Sequence, residues 1–127
     1  MKLSRVEYEF FEFEAPSADV LELDRQVLLH FEDAPILHIS WTAKRQHDNQ
    51  TPAYSIDFST ASYFSEPAAI TVDATSSGTW ASLVGKDVNV AFVDAAYQVL
   101  RIMSDDRAVF CSAIDDDVVR VSSTSPL

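Results

Sequence analysis

The residues able to do acid–base or ligand chemistry are three histidines, one cysteine and a large excess of carboxylates. His30 and His38 bracket the turn signal Asp33-Ala34-Pro35, so they approach one another across a hairpin. A metal site would still need a third and a fourth ligand, and the neighbouring positions of that strand face offer Ser40 and Thr42. These read as surface histidines, as does His47 in its polar stretch. Cys111 alternates with Val109 and Ala113, the setting of a buried structural thiol rather than of a nucleophile. Asp115-Asp116-Asp117 lacks the alternating ligands and central glycine of a calcium loop and reads as a solvated turn. With only two glycines, Gly78 and Gly85, neither a Walker loop nor a dinucleotide-binding turn can form. No serine occupies a nucleophile elbow. No catalytic, cofactor-binding or metal-ligating residue is therefore assigned.

Twenty Asp and Glu will contain pairs at catalytic distance by chance, so counting alone does not exclude a small carboxylate-dependent hydrolase. Such an enzyme usually needs an aromatic-lined cleft and a larger scaffold. Against those acids stand nine Lys and Arg, giving a net charge of −11. That balance repels nucleic-acid phosphates and anionic membrane surfaces, and basic residues do not cluster with aromatics as a nucleic-acid groove requires. It favours steered encounter with a basic partner, or it serves solubility alone. A single cysteine excludes an internal disulfide framework. Glu7, Glu9, Glu12 and Glu14 follow the first residues where a secretory leader would be apolar, and no run reaches the length of a membrane span. A cytoplasmic location is the expectation.

The elements that must position these residues are mostly strands. Apolar residues alternate at Leu37, Ile39 and Trp41, at Tyr54, Ile56 and Phe58, and at Ile70, Val72 and Ala74. Residues 20–31 and 36–43 read as a hairpin about the turn 33–35. Residues 87–93, 97–103, 108–114 and 118–122 are joined by short acidic linkers and read as an antiparallel meander. At the start, Val6, Tyr8 and Phe10 share a face, and the phase then shifts to Phe11 and Phe13, which predicts a bulge near Phe10. Trp80, Leu83 and Val84 stand at i, i+3 and i+4, predicting one short helix with Gly85 as its left-handed cap. Residues 45–52 read as a polar loop and 122–127 as a frayed tail. The expected architecture is one domain, 1–127: a mostly β, antiparallel sandwich or partly open barrel of about eight strands with that helix.

The run Thr79-Trp80-Ala81-Ser82-Leu83-Val84-Gly85-Lys86-Asp87-Val88, followed by Tyr97-Gln98-Val99-Leu100-Arg101-Ile102, resembles small bacterial immunity-type proteins of polymorphic and contact-dependent toxin systems. The likeness covers about a third of the chain and lies in a turn and a strand start, so no functional residue carries over. It implies a cytoplasmic, non-enzymatic inhibitor that binds a cognate toxin domain. Two other classes stand beside it: a β-barrel holding an apolar small molecule, and the carboxylate hydrolase.

For a protein partner, the candidate contact residues are the turn and strand acids Asp57, Asp73, Asp105, Asp106, Asp115, Asp116 and Asp117, with Tyr63 and Phe64 as aromatic anchors. Tyr63 and Phe64 are adjacent, so only one of them can face the core. The other is the exposed anchor.

Overall fold

A computed structural model describes residues 1–12, 16–45, 52–68 and 70–127. Among these residues ten strands are formed: β1 (Leu3–Phe10), β2 (Glu22–Leu23), β3 (Gln26–Phe31), β4 (Leu37–Arg45), β5 (Pro52–Ser59), β6 (Ile70–Asp73), β7 (Asn89–Phe92), β8 (Val99–Ser104), β9 (Arg107–Ser112) and β10 (Val119–Ser122). They build two antiparallel five-stranded sheets, ordered β5-β4-β3-β1-β6 and β2-β10-β9-β8-β7. The sheets are not closed into a barrel; they stack as a sandwich.

The alternation in the sequence decides which face is dry. On β1, Val6, Tyr8 and Phe10 point inward and are fully buried, while Arg5, Glu7 and Glu9 lie on the outer face. Val27 and Leu29 on β3 and Ile39 on β4 meet them from the same sheet, in a register that places Tyr8 beside Val27 and Val27 beside Ile39. Leu100 and Ile102 on β8, Val109 and Cys111 on β9, and Val119 and Val121 on β10 close the core from the other sheet. Each large apolar side chain so buried contributes about 1.5–3 kcal/mol.

The C-terminal meander forms as its short linkers require, with β7, β8, β9 and β10 pairing in sequence. The hairpin of residues 20–31 with 36–43 is only partly right. β3 pairs with β4, but the chain breaks at Asp24 and Arg25, and β2 crosses to pair with β10 in the other sheet. Leu21 is left 61% exposed instead of sharing the face of Val27. The break is held by Asp24, whose carboxylate accepts the backbone N–H groups of Phe11 and Glu12, both at 2.9 Å. The same contact corrects the bulge expected at Phe10: β1 ends there, and its irregularity lies between Leu3 and Arg5.

The short helix is also corrected. Residues 75–85 form successive turns, and no helix occurs among the described residues. Isolated i→i−4 bonds occur from Ala81 to Ser77 and from Val84 to Trp80, but they are not consecutive. The apolar spacing still does its work: Trp80 and Leu83 are fully buried, and Gly85 adopts φ = 85°. Gly85 and the residues after it then add to β1, with Gly85 N–H bonded to the Leu3 carbonyl and Leu3 N–H to that of Lys86. β1 thus pairs with residues 85–88 near its start and with β6 near its end. Most of the polar loop 45–52, with His47, lies outside the described residues. The tail after Ser122 is exposed.

Candidate functional site

The edge of β5 carries an open groove of about 490 Å³ lined by Thr42, Ser55, Ile56, Asp57, Phe58, Tyr63, Phe92 and Tyr97. It forms because β5 ends one sheet and β7 ends the other. Phe58 on β5 and Phe92 on β7 meet edge-to-face at 5.3 Å, and Phe92 meets Tyr97 at 5.0 Å. Tyr97 is 60% exposed, Tyr63 51% and Phe58 37%, so this patch keeps aromatic surface in water.

Tyr97 is placed there by its backbone. The turn between β7 and β8 puts it at φ = 57°, a left-handed conformation that a bulky residue adopts at a cost of about 1–2 kcal/mol. Asp94 holds that turn by accepting N–H bonds from Gln98 and Val99 at 3.0 and 2.9 Å. The Tyr97 carbonyl in turn accepts the outward N–H of Ile56 at 2.8 Å, and the Gln98 amide donates to the Tyr54 carbonyl at 3.0 Å. The β5 edge is therefore partly occupied by the chain's own turn, which blunts strand addition at that point.

The nominated residues divide by location. Asp57 and Tyr63 line the groove. Asp115, Asp116 and Asp117 are exposed in the β9–β10 turn at the same end of the sheet, since Ala113 N–H bonds to the Gln98 carbonyl next to Tyr97. Asp105 and Asp106 lie in the β8–β9 turn at the opposite end, where Asp105 takes φ = 52°. Asp73 ends β6, on the far edge of the first sheet. Its carboxylate accepts bonds from the Thr75 hydroxyl and N–H, which hold its pKa below the usual range. Of all these, only Asp57 and Tyr63 line the groove.

Of the adjacent pair, Tyr63 is the exposed ring. Phe64 packs edge-on against Phe11 at 4.7 Å and Trp41 at 6.0 Å, and the Arg25 guanidinium lies 5.1 Å from its centroid. Arg25 is itself buried, bonded to Glu9 on β1, so Phe64 pins the segment after β5 onto the outer face of the first sheet. Phe92 and Tyr97 were not singled out by sequence. Phe92 reads as an ordinary strand residue, and Tyr97 as the first residue of one. The usable signal was Asp94, three residues before Tyr97, which can cap a tight turn.

His30 contacts the Glu7 carboxylate, which Arg5 also holds at 2.7 Å, and burial lowers the pKa of His38. Burial pushes the Cys111 thiol up to about 12. Among the described residues no three His, Cys, Asp or Glu are grouped to hold a metal, and no helix is long and apolar enough to cross a membrane. No family model, curated protein or solved structure matches the chain.

Proposed function

We propose that this chain is a non-enzymatic immunity protein that binds and neutralises a cognate toxin domain with a basic surface. The observation that carries the reading is the aromatic groove at the β5 edge, with Phe58, Tyr63 and Tyr97 all exposed in a chain of net charge −11. Tyrosine rings held in fixed positions are the commonest anchors of protein interfaces, because they bury much surface at little conformational cost. The exposed acidic turn 115–117 adds negative charge that raises the rate of encounter with a positive surface. The space that a ligand-holding barrel would keep open is filled by Tyr8, Phe10 and Trp80, all fully buried, which favours the protein partner over a small apolar ligand.

The test is binding kinetics against the product of the gene adjacent to this one, measured at several salt concentrations. Tight binding is expected, with association slowing as salt rises and the Debye length falls from about 10 Å at 0.1 M to about 3 Å at 1 M. Absence of binding, or enzymatic turnover in place of it, would overturn the reading.

A further inference from the structure

We propose that the β5-edge groove receives an arginine side chain of the basic partner, paired to Asp57 and stacked on a tyrosine ring. This rests on the protein-binding reading above and names one contact within it.

The argument begins with Asp57. Glu7, Glu9, Glu22 and Glu32 each pair with an Arg or Lys of this chain. Asp57 forms no ion pair or side-chain hydrogen bond with any described residue, and no Lys or Arg is among the described residues that line the groove. It sits on the outer face of the edge strand, opposite Ser40 in register, with Tyr63 in the same groove. A carboxylate without a cation beside a tyrosine ring is a site of unmet negative potential.

The rings supply the second element. The negative face of a tyrosine attracts a cation, by about 0.5–1 kcal/mol at an exposed position and more once water is excluded. Tyr63 lies on the Asp57 side of the strand, and its ring packs edge-on against Phe64 at 5.2 Å, so it is positioned before a ligand arrives.

The hydroxyls favour guanidinium over ammonium. Arginine presents five N–H donors in one plane, and a single carboxylate satisfies only two of them. Thr42 and Ser55 line the same groove and can accept others, and Thr42 already reaches the Tyr63 hydroxyl at 3.4 Å. Lysine is more strongly hydrated and cannot stack.

The experiment titrates the protein with blocked Gly-Arg-Gly, Gly-citrulline-Gly and Gly-Lys-Gly peptides, following amide and aromatic resonances by NMR. The arginine peptide should shift Thr42, Ser55, Asp57 and Tyr63 saturably, and the neutral citrulline peptide should not. Asp57→Asn should weaken arginine binding about tenfold, the loss of one charge-assisted pair, with an unchanged melting temperature. Neutralising Asp115, Asp116 and Asp117 together should change the shifts little. Shifts centred on the acidic turns, equal binding of citrulline or lysine, or indifference to Asp57→Asn would each overturn the proposal. A basic protein that binds wild type and Asp57→Asn equally would also remove this contact, yet leave the protein-binding reading standing. Arginine binding in the groove without any protein partner would do the reverse.

Discussion

The indole N–H of Trp80 donates to the phenolic oxygen of Tyr8 across 2.7 Å, and both side chains are fully buried. The bond ties the turns of residues 75–85 to the middle of β1, in a place where water cannot replace either partner. Burial also raises the Tyr8 hydroxyl's pKa, so it stays protonated. Tyr8→Phe should cost about 1–3 kcal/mol, the penalty for stranding a buried donor. Trp80→Ala should cost about 3–5 kcal/mol, because a cavity is added to the lost bond. Urea melts of both variants check this, and a Trp80→Ala protein as stable as wild type would show that the turns do not close the core.

Gly85 takes φ = 85°, and a Cβ built there meets nothing within 4 Å. The cost of Gly85→Ala is therefore purely conformational, about 1 kcal/mol. Gly78 also has open space but lies outside the left-handed region. Gly78→Ala should be neutral or slightly stabilising. Equal destabilisation of the two variants by thermal melting would contradict this assignment.

His38 has its pKa lowered below 6.5, chiefly by burial, with His30 adding to the lowering and Glu9 opposing it. A folded-state pKa below the unfolded one means the unfolded chain binds the proton more readily. The stability from keeping His38 neutral is present above about pH 6.5 and is lost as pH falls through its folded pKa. Asp33 and Asp73, also lowered, add their loss only below their ordinary 3.8. Denaturant midpoints should thus drop in two separate stages on acidification. His38→Gln should remove the upper stage alone, and a variant that retains it would place that titration elsewhere.

Tyr63 and Phe64 should separate stability from binding. Phe64→Ala should lower the melting point, because Phe11, Trp41 and the Arg25 guanidinium lose their contact with its ring. By the usual cost of large-to-small changes, the loss is about 3 kcal/mol. Tyr63→Ala should leave stability within about 0.5 kcal/mol yet weaken partner binding by about 2 kcal/mol, as anchor residues do. Calorimetry and surface binding read the two effects, and a destabilised Tyr63→Ala would reverse the roles.

Neutralising Asp115, Asp116 and Asp117 should slow association with the basic partner and leave dissociation nearly unchanged, since exposed charges act mainly before contact. The same change at Asp105 and Asp106, at the other end of the sheet, should have a smaller effect on rate. Stopped-flow mixing at low salt distinguishes them. Equal slowing by both would mean that net charge, rather than its position, guides the encounter.

Period-two alternation made the strands legible, because one dry face forces inward residues such as Val6, Tyr8 and Phe10 into step. The meander was legible because its linkers are too short for anything but antiparallel neighbours. The strand switch at Asp24 was not, since Leu23 and Val27 are both buried and keep the phase of one continuous strand across it. The helix failed for a related reason: i, i+3, i+4 spacing serves a run of turns as well as a helix. Of the groove's lining residues, Asp57 and Tyr63 could be named from the sequence. Phe92 and Tyr97 could not, because their surroundings depend on two sheet edges meeting, which local sequence does not encode.

The pairings of β1 and β2 have a consequence for synthesis on the ribosome. β3, β4 and β5 are joined by local hairpins and can assemble as soon as they emerge. β1 can join them through β3, but its other edge must wait for β6 and for residues 85–88, and β2 must wait for β10, almost a hundred residues later. One edge of β1 thus stays open through much of translation, and Val6, Tyr8 and Phe10 stay uncovered until the second sheet packs on them. Folding is then governed by late, long-range closure, which in chains of this kind takes milliseconds to seconds rather than microseconds. The charges at Arg5, Glu7 and Glu9, interleaved with those apolar residues, keep the waiting segment from sticking to other chains.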